Sequence, residues 1–168
     1  NKAMGHAVRA SYLYAGVADL CAEIQDTTLS NRLFSIWEDV VRHKMYITGG
    51  LGSLYDGTSP DGTSYDPTEV QKIHQAFGRD YQLPNLTAHN ETCANIGNML
   101  WNWRMTNFTG DAKYMDVLEL ARYNSVLSGI SLDGDKFLYT NPLSLSGALP
   151  FQQRWAKKRV PYIALSNC

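Results

Sequence analysis

At 168 residues, 44% hydrophobic and 18% charged, the chain has the make-up of an ordinary globular protein. Its formal net charge of -1 offers no electrostatic footprint for nucleic acid or an anionic membrane surface, and no apolar run approaches the roughly 18–20 residues that span a bilayer. Three cysteines, Cys21, Cys93 and Cys168, without an even set of close spacings, argue against a disulfide scaffold. The chain opens at Asn1 without an initiator Met and stops at Cys168 directly after a predicted strand, so a single partial domain over residues 1–168, cut at both ends, is expected.

From His6 to Ile24, residues Ala10, Leu13, Val17, Leu20, Cys21 and Ile24 recur at helical spacing and predict a first helix with those residues on its apolar face. Asp26, Thr27 and Thr28 break it, and a second helix is expected from an N-cap at Ser30 through Leu33, Ile36, Trp37, Val40 and Val41 to Lys44. Together these make an antiparallel helical hairpin. The glycine-rich run Tyr46-Ile47-Thr48-Gly49-Gly50-Leu51-Gly52-Ser53 lacks the spacing of either nucleotide-binding fingerprint. A long loop follows over 55–67, then a short helix from Thr68 to Phe77 and an extended stretch from Arg79 to Asn85, with Pro84 disfavouring helix at Leu83.

A third helix is expected over Asn90–Met105, with Ile96, Leu100 and Trp103 on one face. The cap signal Gly110-Asp111 opens a fourth, running to about Ser128 through Tyr114, Val117, Leu118 and Ala121. Beyond it the period changes to two: Asp133-Gly134 reads as a hairpin turn before Phe137-Leu138-Tyr139, and 160–165 as a further strand. The chain is therefore mainly α, with a few short β-strands toward its C-terminus.

The chemically informative stretch is Asn85-Leu86-Thr87-Ala88-His89-Asn90-Glu91-Thr92-Cys93. Glu91, Cys93 and Cys168 could supply three ligands to Zn²⁺. Inside a helix, residues i and i+2 point about 200° apart, so Glu91 and Cys93 could share a metal only if Glu91 precedes the helical backbone. The bland alternative is a surface Glu facing a helix dipole and a core Cys.

The ordered series Gly5-His6-Ala7-Val8-Arg9, Tyr46 to Ser53, Leu83-Pro84-Asn85, Glu91-Thr92-Cys93, Ser131-Leu132-Asp133-Gly134 and Tyr139-Thr140-Asn141-Pro142 resembles glycoside hydrolase family 127, the zinc- and cysteine-dependent β-L-arabinofuranosidase type, over nearly the whole chain. The resemblance implies part of an (α/α)6 toroid built from antiparallel helical hairpins. It makes Glu91 and Cys93 zinc ligands, and Cys168 both nucleophile and third ligand; the fourth ligand would be the residue after Cys168, leaving the zinc site incomplete in this chain. It also makes His6, Glu119 and Tyr139 sugar contacts and implies an oligosaccharide or glycoside substrate.

One departure stands out. The family's general acid/base is a Glu sixteen residues before the Glu of Glu-x-Cys, and that place holds Gln75, in Gln75-Ala76-Phe77. An amide cannot cycle a proton, which leaves three explanations: another carboxylate, Glu69 being the nearest in sequence, a substrate whose leaving group needs less help, or a protein that binds sugar without cleaving it. Three readings follow: a glycosidase segment of altered specificity, a non-catalytic carbohydrate-binding helical domain, and a structural zinc module in which Glu91 and Cys93 pin a helix start. A toroid segment also exposes faces made to meet missing hairpins, so self-association is expected.

Overall fold

The computed structural model describes residues 1–54, 75–85, 88–144 and 161. These contain four α-helices: α1 (Ala7–Ile24), α2 (Thr27–His43), α3 (Thr92–Thr109) and α4 (Ala112–Ala121). The protein is mainly α. None of the described helices is long and apolar enough to cross a membrane.

The link between α1 and α2 is tighter than the sequence suggests. Asp26, read as a breaker, is the N-cap of α2: its carboxylate accepts from the N–H groups of Thr28 and Leu29, satisfying donors that the first turn leaves open. Ser30 lies inside the helix instead. Gln25, left-handed at φ 54°, closes α1, so two residues make the connection. The end of α2 returns to the start of the chain, where the N–H of Ala3 donates to Asp39 and Lys44 Nζ donates to the carbonyl of Ala3. The two helices are therefore antiparallel.

The packed faces differ from those the apolar residues predict. On α1 the buried residues are Ala7, Ala10, Ser11, Ala15, Ala18 and Cys21, while Leu13, Leu20 and Ile24 are exposed. On α3 they are Cys93, Ala94, Asn95, Gly97, Asn98, Trp101, Asn102 and Met105; Trp103 is exposed and Ile96 and Leu100 are only half-buried. Small residues let the two backbones approach: a Cβ on Gly97 would lie 2.1 Å from Ser11 Oγ. Tyr14 packs on Trp101 (4.9 Å between ring centroids), and α2 joins through Trp37 against Tyr114 (4.7 Å) and Phe34 against Phe108 (5.9 Å).

A buried polar seam runs along α3. Asn95, Asn98 and Asn102, spaced three and four apart, share one face and are fully buried. Trp37 Nε1 donates to Asn102 Oδ1 (2.8 Å), Asn102 Nδ2 donates to Asn98 Oδ1 (3.0 Å), Asn98 Nδ2 to the carbonyl of Gly49 (3.0 Å), and the N–H of Leu51 to Asn95 Oδ1 (3.0 Å). This explains the glycine run, whose backbone supplies partners to the seam. Gly49, at φ 79°, lies so close to α4 that a Cβ would meet the backbone of Ala121 at 2.7 Å, and one on Gly50 would meet Asn90 Oδ1 at 2.2 Å.

Gly110, left-handed at φ 72°, ends α3, and Asp111 caps α4 by accepting from the N–H of Lys113. The fourth helix continues past Ala121 as a π-helical turn (Arg122–Val126) and a 3₁₀ turn (Leu127–Gly129), so its expected reach to Ser128 holds with altered winding. The hairpin turn also forms: Ile130 pairs with Phe137, the N–H of Gly134 donates to Ser131 and Gly134 has φ 76°. Instead of strands, the described residues contain isolated bridges, among them His6 with Ala76, Glu91 with Thr140 and Leu138 with Pro161. The end of the helix expected over Thr68–Phe77 is not helical: Ala76 and Phe77 form bridges after Gln75 at φ 52°, with the N–H of Ala7 donating to the carbonyl of Gln75 and that of Phe77 to Gly5. Residues 79–82 form a turn before the extended stretch. Most of the strand expected over 160–165 lies outside the described residues.

Candidate active site

Two backbone pairings assemble the candidate site. Gly5-His6-Ala7, leading into α1, pairs with Gln75-Ala76-Phe77, and Ala88–Thr92, leading into α3, pairs with Leu138–Asn141. In the second, the N–H of Thr92 donates to the carbonyl of Tyr139 (3.0 Å) and Thr92 Oγ1 to that of Leu138 (2.6 Å). Asparagine side chains lock it: Asn90 Nδ2 donates to the carbonyl of Asn141, Asn141 Nδ2 to that of Asn90, and Asn95 Nδ2 to Asn90 Oδ1 (2.9 Å). Asn90 takes φ 38°, a left-handed conformation that asparagine tolerates.

Glu91 is the N-cap of α3, with extended backbone (φ -69°, ψ 131°) and no side-chain cap bond. It therefore meets the backbone condition for sharing a metal with Cys93. It is also only 4% exposed, which overturns the reading of a surface carboxylate facing the helix dipole. His89 and Glu91 flank the left-handed Asn90, and their side chains come together: His89 Nε2 lies 3.6 Å from Glu91 Oε2, and the His89 ring packs edge-on against Tyr139 (5.6 Å). Gln75, at φ 52°, reaches across to the same place: its Nε2 donates to Tyr139 Oη (3.0 Å), and its segment pairs with His6 through the His6–Ala76 bridge. Burial lowers the His6 pKa, opposed by the Glu91 charge and assisted by Arg9. Burial raises that of Tyr12, with Glu91 adding to the effect.

Of the residues singled out from sequence, His6, Gln75, Glu91 and Tyr139 thus come together, with Cys93 on the first turn of α3. Cys93 is buried and disulfide-bonded, a pairing that the cysteine spacing did not suggest. Cys21 is a free, buried thiol on α1, as expected of a small core residue. Glu119 is exposed on α4, and no hydrogen bond or ion pair among the described residues ties it to the group. Glu69 and Cys168 lie outside the described residues. One participant was missed: His89, which had no assigned role, and whose place two residues before Glu91 was the available signal.

Two other features lie apart. Asp39, His43 and Asp80 bring ligand atoms within 4.8 Å of one another and could hold a metal ion. Lysines already neutralise the carboxylates: Lys44 pairs with Asp39 (2.8 Å) and Lys2 with Asp80. A cavity of about 680 Å³ is lined by Lys2, Ala3, Lys44, Phe77, Arg79 and Asp80 among others, and not by His6, Gln75 or Glu91.

Known proteins place this scaffold among the glycoside hydrolases. The chain belongs to family 127: residues 1–168 match the β-L-arabinofuranosidase GH127 catalytic domain. It is 36% identical over 139 residues to a non-reducing end β-L-arabinofuranosidase of Bifidobacterium longum subsp. longum, covering 83% of this chain and 18% of that protein. Among solved structures it resembles a glycoside hydrolase at 65% identity and TM-score 0.85, over 98% of this chain and 27% of the other. It also resembles a GH127 β-L-arabinofuranosidase from Geobacillus stearothermophilus T6 at 38% identity and TM-score 0.74, over 93% and 24% respectively. The chain thus spans about a fifth to a quarter of the length of these relatives.

Proposed function

We propose that residues 1–168 are part of the catalytic domain of a retaining glycosidase that removes L-arabinofuranose or a related sugar from plant-type glycans. The supporting observation is the gathering of His6, Gln75, Glu91 and Tyr139 at the start of α3 in a chain of this family. In this reading the helical hairpins are a contiguous portion of an (α/α)6 toroid, and the helix starts converge on a sugar pocket.

Glu91 and Cys93 fit a zinc site: a carboxylate on non-helical backbone, almost wholly removed from water, stands two residues from a sulfur, and Zn²⁺ accepts that donor set. Glu91, Cys93 and Cys168 would hold it, with the following residue completing the set. Bound zinc keeps a thiol ionised near neutral pH, the form that acts as nucleophile. Because Cys93 is disulfide-bonded here, loading requires a reductant.

Cys168 sulfur attacks the anomeric carbon as the bond to the leaving oxygen breaks, and a carboxylic acid protonates that oxygen. The resulting carboxylate takes a proton from the water that then displaces the sulfur, releasing sugar with retention. Gln75 cannot supply that proton; its amide instead fixes Tyr139 as a sugar contact. Glu69 is the carboxylate assigned to the acid/base role. The test is release of L-arabinose from a chromogenic β-L-arabinofuranoside by the full-length zinc-loaded protein. Cys168→Ser should abolish release and Glu69→Gln should lower it about 10²–10⁴-fold; full activity in Cys168→Ser would sink the nucleophile assignment.

Gln75 favours a second reading, a non-catalytic carbohydrate-binding domain. It is distinguished by retention of an oligosaccharide without release of monosaccharide from the unaltered protein.

A further inference from the structure

His89 is fully buried, and the fold gives it two neighbours that matter. Its Nε2 is 3.6 Å from Glu91 Oε2, and its ring meets that of Tyr139 edge-on at 5.6 Å. Its backbone is tied to the opposite segment, with the N–H of Asn141 donating to the His89 carbonyl. The residue between His89 and Glu91 is the left-handed Asn90, itself held by Asn95 and Asn141. The imidazole is thus fixed on a rigid platform behind two groups of the candidate site.

We propose that His89 is a positioning residue, whose Nε2–H orients the Glu91 carboxylate for metal while its ring sets the pose of Tyr139. This rests on the reading of Glu91 as a zinc ligand. At 3.6 Å the contact is too long for a hydrogen bond, but a small turn of either side chain closes it, and ligating carboxylates are ordinarily held by such an outer donor. The role needs a donor at the Nε2 position and no change of charge on the imidazole.

The experiment compares His89→Gln, whose amide nitrogen reaches the Nε2 position, His89→Asn, which reaches only the Nδ1 position, and His89→Phe, which keeps the ring without a donor. Zinc affinity is measured under reducing conditions by competition with a chromogenic chelator, on the full-length protein, with thermal melts to verify folding. His89→Gln should stay within a few-fold of the unaltered protein, while Asn and Phe should lose affinity by about 10–100-fold. A role confined to packing reverses that order, with Phe retaining most affinity and Gln least, and would overturn the proposal. Equal affinity in all variants would also overturn it and leave the zinc reading standing. Unaltered protein that takes up no zinc refutes the zinc reading itself, and the proposal with it. If Phe fails to fold, Gln against Asn decides alone.

Discussion

Asn95→Leu is the most direct test of the claim that the buried asparagines of α3 hold the candidate site. Asn95 is fully buried; its Oδ1 accepts from the N–H of Leu51 at 3.0 Å and its Nδ2 donates to Asn90 Oδ1 at 2.9 Å. Leucine has nearly the same length and neither bonding group. The substitution therefore strands one buried N–H and one buried oxygen, each costing about 1–3 kcal/mol. Against the resulting total of about 2–6 kcal/mol stands the added apolar burial, worth about 1.5–3 kcal/mol if the side chain fitted perfectly. The polar walls of the seam prevent a perfect fit, so a net loss of about 2–4 kcal/mol is expected. Urea unfolding gives the total, and amide hydrogen exchange at Leu51 locates it, because that N–H loses its acceptor. Asn107→Leu, exposed near the end of α3, is the control and should change stability by less than about 0.5 kcal/mol. A loss below about 1 kcal/mol for Asn95→Leu, with Leu51 exchange unaltered, would refute the view that the seam is a satisfied and stabilising network.

Three further outcomes are expected. Gly97→Ala should destabilise despite alanine's helix advantage of about 1 kcal/mol, because its Cβ would lie 2.1 Å from Ser11 Oγ and 3.1 Å from Tyr12 Cδ2; adding Ser11→Ala should recover part of the loss in thermal melts, and stabilisation by the single change would contradict the close α1–α3 approach. Burial would raise the Asp39 pKa, but hydrogen bonds from Lys44 and the Ala3 N–H, with the Lys44 charge and His43, outweigh it and hold the carboxyl below its ordinary value. Its stabilisation is then complete above the unfolded value near ~4 and is lost as pH falls through the folded one, so Asp39→Asn should flatten the acid limb of a stability–pH profile; Lys44→Met, which leaves that carboxylate without its ammonium partner, should cost about 3–5 kcal/mol at neutral pH. Finally, Leu13, Leu20 and Ile24 are 63%, 46% and 53% exposed along one side of α1, and we propose that this face drives self-association; sedimentation should show concentration-dependent oligomers that Leu13→Lys with Leu20→Lys disperses, and a clean monomer at high concentration would count against it.

Helix existence was legible because long periodic segments carry their signal in many residues at once; helix orientation was not. Leu13, Leu20 and Ile24 are at correct spacing for an apolar face, yet α1 packs through Ala7, Ala10, Ser11, Ala15 and Ala18. Burial rewards area, and large side chains advertise it, but close helix approach rewards small size, which Ala, Ser and Gly do not advertise. On α3 the misreading has a second cause: its buried face includes Asn95, Asn98 and Asn102, polar residues that hydropathy assigns to solvent and only hydrogen-bond partners can bring inside. Those partners come from Trp37 and from the 49–51 loop, more than forty residues away in sequence, so no local window contains the information.

The candidate site was more legible than the core for a related reason. Its residues are polar and adjacent to helix starts, where His6 and Glu91 both sit on extended backbone just before the first turn. Extended segments pair, and each start found a partner in a stretch the sequence marked separately: Gly5-His6-Ala7 with Gln75-Ala76-Phe77, and His89 to Thr92 with Tyr139 to Asn141. Pairing places Gln75 against Tyr139 without either residue being near the other in the chain. It also gives the Gln75 amide a definite occupation: it donates to the Tyr139 phenol. An amide so held can orient a sugar and cannot protonate one, so hydrolysis by this chain's parent would call on a carboxylate elsewhere or on a substrate whose leaving group needs no acid.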